Sequence, residues 1–386
     1  MSNHMQAPKL RFQKFDSNWI SAKIGDIATV TSGGTPSRDK KAYWGGDIPW
    51  VTTSEIKYKH IYDSREKITA EGLKHSSAKL FHPDTILMAM YGQGNTRGDV
   101  AKLEIEAATN QACAAIIPHD GFDADFIFQY LIGQYSAIRE LSNEGGQKNL
   151  SGSIIKNISL HFPGEVEQQK IASFLSLVDQ KISLLSKKHK LLIQYKKGVM
   201  QKIFNQEIRF KDKDGKEFPR WESSTIDSIA TKKSSTISAN KIEGNFGEYK
   251  IYGASGVLKT VDFYTEESEY VSIVKDGAGA GRAFLCEPKT SVLGTMEKVI
   301  ANDGISTKFL YELLNSIDFS QFITGSTIPH VYFKDYGKSQ IKLPCFDEQI
   351  KISNFLMKID RALEIAKSQI KLTEQYKRGL LQQMFI

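Results

Sequence analysis

Several loops of this sequence combine small residues with polar side chains that are able to contact a nucleic acid. Two of them, Tyr91-Gly-Gln-Gly-Asn-Thr-Arg-Gly98 and Asp276-Gly-Ala-Gly-Ala-Gly-Arg282, follow β-prone runs and contain an arginine. Small residues let the backbone approach another molecule closely, and arginine binds phosphate or makes a bidentate contact with guanine. With polar positions from neighbouring loops, the predicted DNA-contacting residues are Arg38, Trp44, Gln93, Asn95, Arg97, Lys148 and Asn149 in the first half and Tyr252, Ser255, Lys275, Arg282, Thr327 and His330 in the second.

Motifs of the common catalytic centres are absent from the sequence. It contains no GxxxxGK[ST], HExxH or GxSxG pattern, no deaminase signature, and no Pro-Pro pair for an amino-methyltransferase motif. Glu55-Ile-Lys57 after Asp47 resembles a nuclease core only in three common residues, and the GxG strings lack the context of a dinucleotide site. We therefore predict a non-catalytic chain without a metal site or a cofactor of its own.

The composition is that of an ordinary globular protein with a moderate excess of basic residues. The 386 residues suggest two to three domains, and 40% of them are hydrophobic and 25% charged. The formal net charge is +7 with a pI near 9.0, which favours an anionic partner without requiring one. The excess lies in segments 167–204 and 348–385, which carry +6 and +3, so the rest of the chain carries −2.

Cysteine usage and hydropathy point to the cytoplasm. Cys113, Cys286 and Cys345 stand far apart and form no CxxC pair or zinc pattern, so we expect reduced thiols. No run approaches the ~20 apolar residues of a membrane helix. Residues 1–5 resemble the remnant of an expression tag, and Met5 is the expected natural start.

The chain contains an internal duplication. Residues 167–204 align with residues 348–385 without a gap at an offset of 181, and Pro163 matches Pro344. Weaker similarity joins the starts of the two halves, where Trp19 corresponds to Trp221. The shared positions include Phe174, Leu175, Asp179, Tyr195 and Lys196 in the first copy and Phe355, Leu356, Asp360, Tyr376 and Lys377 in the second.

Both copies of the repeated segment are predicted to be long coiled-coil helices. Apolar residues alternate at spacings of three and four over five heptads without proline. A helix of this length spans roughly 57 Å at ~1.5 Å per residue. If a pseudo-twofold axis relates the halves, the two helices pair antiparallel; the alternative is that each helix packs only on its own domain.

The intervening blocks are predicted to be α+β domains. Expected strands are 85–91, 112–117, 158–162, 270–274 and 340–343, and expected helices are 124–141 and 307–316. The predicted domain limits are an N-terminal segment 1–19, a first domain 20–164, a first long helix 165–206, a second domain 207–345 and a second long helix 346–386.

This doubled arrangement resembles the specificity subunit of type I restriction–modification systems. The resemblance covers nearly the whole chain and is carried by the repeated E-Q-x-K-I…F-L…D…Q-Y-K-x-G segments. Further support comes from Gly34-Thr-Pro36, Tyr43-Trp-Gly45, Gln147-Lys-Asn-Leu-Ser151 and Tyr252-Gly-Ala-Ser-Gly256. The resemblance implies two target-recognition domains, each reading one half of a bipartite, asymmetric double-stranded DNA site.

The same resemblance implies partners for the long helices. In the family they act as a spacer and dock two modification subunits, which hold S-adenosylmethionine and methylate adenine, and restriction or translocase subunits join in some complexes. The ten repeat positions given above are then candidates for helix pairing and partner docking. Two alternatives stay open: an enzyme with recognition and catalysis fused in one chain, and a coiled-coil scaffold that binds other proteins.

Overall fold

A computed structural model describes residues 7–92, 96–141 and 149–386 of the chain. These residues form two units. The first unit contains the chain up to Ser186 together with Ser368–Ile386, and the second contains Lys187–Lys367. Each unit therefore includes one α+β domain, the N-terminal part of one long helix and the C-terminal part of the other.

The first domain contains two mixed β-sheets in which most neighbouring strands are antiparallel. Its strands are β1 (Ile20–Lys23), β2 (Ala28–Ser32), β3 (Trp44–Val51), β4 (Lys59–Ile61), β5 (Glu66–Ile68), β6 (Leu80–Phe81), β7 (Ile86–Ala89), β8 (Val100–Leu103), β9 (Ala107–Thr109), β10 (Cys113–Pro118) and β11 (Ser159–Phe162). One sheet has the strand order β2-β10-β7-β8-β4 and the other β5-β3-β9-β6, while β1 pairs with β11. The all-apolar β7 is buried along its length, as expected for a central strand.

Short helices close the first domain against the sheets. They are α1 (Ile24–Ile27), α2 (Ala70–Lys74), α3 (Ala124–Gly133), α4 (Tyr135–Glu140) and α5 (Gly152–Lys156). Asp123 begins α3 as its N-cap, because its carboxylate accepts a hydrogen bond from the Phe126 amide at 2.8 Å. The single helix predicted over 124–141 is wrong in one respect: Gln134 leaves helical geometry and separates α3 from α4.

The second domain repeats this plan with fewer strands in the described chain. Its elements are β12 (Glu222–Thr225), α7 (Ile226–Ile229), β13 (Ala230–Ser234), α8 (Ala239–Ile242), β14 (Tyr249–Gly253), β15 (Gly256–Val261), β16 (Tyr270–Val274), β17 (Ala283–Cys286), β18 (Ser291–Val292), β19 (Met296–Ala301), α9 (Thr307–Ser316), α10 (Phe333–Tyr336) and β20 (Gln340–Leu343). Two sheets have the orders β13-β19-β16-β17 and β15-β14-β18, and β12 pairs with β20. The strands predicted at 270–274 and 340–343 and the helix at 307–316 are confirmed with these limits.

The two long helices are confirmed as α6 (Glu165–Phe204) and α11 (Phe346–Met384). In the first unit Asp179 of α6 pairs with Lys377 of α11, and in the second unit Lys196 of α6 pairs with Asp360 of α11. The partner's number falls as the α6 number rises, so the helices pair antiparallel. The heptad residues Leu175 and Leu356 are fully buried in the cores of their units, which confirms the predicted α+β fold with a paired helix repeat.

The repeated Glu-Gln dipeptide joins each long helix to the domain before it. Glu167 binds the Arg11 guanidinium at 2.7 Å, and Glu348 binds Arg209 at 2.8 Å. The amide oxygen of Gln168 accepts a hydrogen bond from the Asp123 backbone amide at 3.0 Å, which holds the start of α3. Gln349 does the same for Ser306 at 2.9 Å, so the duplicated residues have duplicated structural roles.

Candidate nucleic-acid interface

The loop after β16 and the loop before α10 of the second domain contact each other through backbone hydrogen bonds. The Gly277 amide donates to the Pro329 oxygen and the Val331 amide to the Lys275 oxygen, both at 2.9 Å. The imidazole of His330 lies 2.8 Å from the Asp276 carboxylate. These contacts bring Lys275 and His330 together, although 55 positions separate them in sequence.

Arg282 and Ser255 belong to the same group of loops. The Arg282 guanidinium donates to the Ala254 oxygen at 3.1 Å, next to the exposed Ser255. Thr327 is exposed on the loop that precedes His330. Five of the six residues predicted for the second domain therefore lie on loops that contact one another, and their contact with DNA stays a prediction.

Tyr252 differs from the other predicted residues of this domain. It lies on β14 and is only 6% exposed. Burial raises the pKa of its hydroxyl to about 12, so the side chain stays neutral. In this conformation Tyr252 packs in the domain interior, and its contact with DNA stays a prediction.

An aromatic and basic cluster occupies one face of the first domain. The Arg38 guanidinium lies 3.7 Å from the ring centroid of Trp44 and 5.1 Å from that of Trp50. Arg38 also makes two contacts with the Glu66 carboxylate, at 2.5 and 3.0 Å. The hydrogen bonds from Arg38 lower the pKa of Glu66, so the pair remains charged near neutral pH. Arg38 and Trp44 are thus brought together, and Glu66 is a member of the cluster that sequence reasoning missed.

Of the remaining predicted residues of the first domain, Arg97 and Asn149 are described, and both lie near the end of β7. Arg97 is 8% exposed, and its guanidinium donates to the Arg139 oxygen at 2.7 Å. The Leu150 amide donates to the Met90 oxygen at 2.9 Å, which places the partly exposed Asn149 beside the same strand end. Gln93, Asn95 and Lys148 lie outside the described residues. The buried position of Arg97 gives it a structural role here, and its DNA contact stays a prediction.

The weak nuclease-like pattern has a structural explanation. Glu55 is 6% exposed and its carboxylate accepts hydrogen bonds from the Thr52 and Arg65 backbone amides, both at 3.0 Å. These bonds stabilise a turn and occupy both oxygens of the carboxylate. Across the described residues, no group of three or more His, Cys, Asp or Glu side chains has a geometry able to hold a metal ion.

At the seam of each unit, one domain contacts both long helices through a polar triad. In the first unit Asp179 binds Lys377 at 2.7 Å and accepts a hydrogen bond from the Gln129 amide at 2.8 Å. In the second unit Lys196 binds Asp360 at 2.6 Å and Glu312 at 2.9 Å. Gln129 and Glu312 are each the sixth residue of α3 and α9, but the Gln129 amide binds the aspartate of its triad, whereas the Glu312 carboxyl binds the lysine.

Sequence reasoning also missed Gln129 and Glu312. The available signal was a polar residue inside an otherwise apolar helical run, Phe309–Leu314, where burial without a partner is unfavourable. The predicted seam residues Asp179, Lys196, Asp360 and Lys377 all take part in the triads.

The outer side of the helix pair exposes apolar residues at heptad spacing. In the first unit the exposed Leu177, Leu372 and Tyr376 border a groove of about 410 Å³, and Leu184 is exposed one heptad after Leu177. In the second unit the repeat counterparts of Leu372, Tyr376 and Leu184 are also exposed, namely Leu191, Tyr195 and Ile365. We call these seven residues the outer stripe. Phe174 lines the same groove and also packs against the core of the first unit, as its repeat counterpart Phe355 does in the second.

None of the described helices combines the length and hydropathy needed to cross a membrane.

Comparison with known proteins assigns the family. The profile of the type I restriction modification DNA specificity domain matches residues 16–194 and again residues 219–374. The chain is similar to the MjaIX type I restriction enzyme specificity subunit of Methanocaldococcus jannaschii, with 32% identity over 370 residues covering 86% of this chain and 84% of the relative.

Solved structures agree at the level of the fold. The S subunit of a type I restriction–modification system from M. genitalium has a TM-score of 0.68 at 17% identity, covering 98% of this chain and 99% of that one. A chain from a study of complex assembly and conformational transition in a type I system has a TM-score of 0.55 at 13% identity, covering 94% and 96%. With the profile matching both halves, the chain belongs to the specificity-subunit family of type I restriction–modification systems.

Proposed function

We propose that this chain directs a type I restriction–modification complex to a bipartite, asymmetric DNA site. Each α+β domain reads one half-site, and the paired helices set the distance between the halves. The observation that carries the proposal is the duplication: the same Arg–Glu pair holds the start of each long helix, and most of the described candidate DNA residues lie on loops of the two domains. Two dissimilar domains on duplicated helices suit two different half-sites on one duplex.

The sequence-reading surfaces we assign are the aromatic and basic cluster of the first domain and the converging loops of the second. Arg, Lys, His and Ser side chains have hydrogen-bonding groups suited to base edges and phosphates. Outside the helices the chain is slightly acidic, so partner subunits would supply much of the phosphate affinity.

The outer stripe is the proposed docking surface for two modification subunits. The exposed leucines and tyrosines of the stripe form an apolar track on helices whose duplicated segments carry a net +9. Such a surface fits amphipathic segments with an apolar face and acidic flanks. The chain itself would be non-catalytic and cytoplasmic, and S-adenosylmethionine would bind the modification subunits. Restriction or translocase subunits would join through those partners.

The decisive experiment is a genome-wide map of methylated adenines in a host that carries this chain and its methyltransferase. We expect a split, asymmetric motif that disappears when the gene for this chain is deleted. A methylation pattern that survives deletion, with the methyltransferase still active, would reject the proposal and favour a coiled-coil scaffold for other proteins.

A further inference from the structure

The Arg38–Glu66 ion pair of the first domain is held as one preorganised unit. Glu66 lies directly opposite Trp50 in the β3–β5 register, and Arg38 lies over the Trp44 ring. The indole N–H of Trp50 donates to the Gly34 oxygen and that of Trp44 to the Ser37 oxygen, both at 3.0 Å. The strand and the loop before it thus fix both charged groups through the two indole rings.

Both side chains of the pair are partly exposed to solvent. The Arg38 side chain is 53% exposed and that of Glu66 is 41% exposed. An exposed pair of long side chains generally contributes little to stability, because ordering the chains costs as much as the contact gains. The aromatic support removes part of that cost, and the pair presents its outer edge to solvent.

Hydrogen-bonding capacity remains on both partners. Contacts from Nη1 and Nη2 to Glu66 use two of the five N–H groups of Arg38, which leaves the fork formed by Nε and the second Nη2 hydrogen. Each carboxylate oxygen of Glu66 also keeps a lone pair. Donors and acceptors therefore lie side by side in one group supported by the two indole rings.

A G·C base pair has the complementary pattern in the major groove. Guanine presents the acceptors N7 and O6, and its cytosine partner presents the N4 donor beside them. We propose that the Arg38–Glu66 pair reads one G·C base pair of the first half-site, with Arg38 donating to guanine and Glu66 accepting from cytosine N4. This inference rests on the proposed function and adds Glu66 as a specificity determinant.

The charge balance is compatible with a carboxylate at the DNA surface. Arg38 neutralises Glu66, so the unit approaches the phosphates without net repulsion. The exposed Asp39, Lys40 and Lys41 follow Arg38, so residues 38–41 together with Glu66 carry a net charge of +1. Because A·T presents a different order of donors and acceptors, an acceptor fixed next to the arginine fork discriminates against it.

Binding of the assembled complex to variant duplexes tests the proposal. Each G·C pair of the first half-site is replaced in turn by A·T. The ratio of the affinity for the original duplex to the affinity for the substituted duplex is measured for the wild type and for Glu66→Gln. At one position we expect the ratio to fall about tenfold in the variant, as when a single base contact is lost. Arg38→Lys, which keeps the charge and removes the fork, should relax the same position.

Asp63→Asn is the matched control. It removes one acid from a neighbouring exposed pair with Lys67 at 3.3 Å and leaves Arg38–Glu66 intact, so every ratio should stay at the wild-type value. If Glu66→Gln increases the affinity for every duplex equally, Arg38 is a phosphate contact that Glu66 masks. If the affinity ratios are unchanged in both variants, the pair takes no part in recognition. Either result overturns this inference while the split methylation motif, measured separately, still tests the proposed function.

Discussion

At the scale of single residues, the polar triads of the two units differ in one side chain, which is the amide Gln129 in the first unit and the carboxyl Glu312 in the second. Glu312 has no exposed side-chain surface and faces Lys196 and Asp360, with Tyr311 beside the same lysine. Two carboxylates share one ammonium group, whereas the equivalent triad with Gln129 is neutral. Burial, with the nearby Asp360 charge, raises the pKa of Glu312 to about 7 despite the opposing effect of Lys196.

The first prediction is therefore a pH-dependent stability that Glu312→Gln removes. The folded-state pKa of about 7 lies above the ordinary value of 4.5, so between these values the folded chain holds a proton that the unfolded chain releases. Below pH 4.5 the raised pKa of Glu312 makes its full contribution to the free energy of unfolding. This contribution is lost as pH rises to 7, and the loss is roughly 3 kcal/mol at most. Urea unfolding of the second domain should show the variant gaining stability over the wild type as pH rises through this window.

Gln129→Glu is the reciprocal control for this prediction. It places a carboxyl in the equivalent triad of the first domain, where the same decline with pH should appear. If the stability difference between Glu312→Gln and the wild type is constant from pH 4.5 to 8, Glu312 carries no extra proton in the folded chain.

At the scale of elements, each long helix has two apolar surfaces with different roles. The inner surface supplies Leu175 and Leu356 to the domain cores, and both are fully buried. The outer surface carries Leu372 and Tyr376, which are 61% and 57% exposed. An isolated pair of helices needs only one apolar seam, so the outer stripe indicates a further contact surface.

The element-scale prediction concerns Leu372. Leu372→Glu places a charge in the apolar groove without touching the buried seam. We expect the modification subunit to co-purify poorly, at a tenth of the wild-type yield or less, while thermal unfolding is unchanged. Desolvation of an unpaired carboxylate in the interface is the physical reason.

Gln375→Glu provides the comparison for the groove. It adds the same charge to an exposed position on the same helix, three residues further along and outside the groove. Normal co-purification of Leu372→Glu, or equal loss in both variants, would count against the outer stripe as the docking surface.

At the scale of the whole molecule, each unit takes part of its core from a phenylalanine at, or one residue after, the C-terminal end of a long helix. In the first unit Phe385 packs against Phe126 and Tyr130, with ring centroids 5.4 and 5.5 Å away. In the second unit Phe204 lies 6.0 Å from Phe309 of α9. Phe204 and Phe385 occupy equivalent repeat positions, so each domain depends on the C-terminal end of one helix copy.

The corresponding prediction is a domain-specific loss of stability. Phe385→Ala should destabilise the first unit by roughly 3 kcal/mol, because it removes a buried ring and leaves a cavity. Hydrogen exchange should accelerate in Ala124–Gly133 and stay unchanged in Thr307–Ser316. Phe204→Ala should produce the opposite pattern, and acceleration in both helices for either variant would contradict the assignment.

The sequence alone determined the repeat and the two long helices, and in the domains it located five of the twenty described strands and the helical segments near 124–141 and 307–316. These features are local: heptad spacing, apolar runs and the residues that end them act within a few turns of chain. The gapless duplication also led directly to the family, because no isolated motif has comparable specificity. The break at Gln134 escaped prediction, because the apolar pattern continues across it and only the packing of α3 and α4 separates them.

The tertiary structure alone decided which side chains meet. Nothing in the sequence joins Arg38 to Glu66 across 28 positions, or Lys196 to Glu312 across 116. Such contacts depend on strand register and on the antiparallel pairing of α6 with α11, which are set by the whole core. Burial likewise separated Arg97 and Tyr252 from the exposed loop residues of similar chemistry, because exposure is a property of the packed molecule and not of residue type.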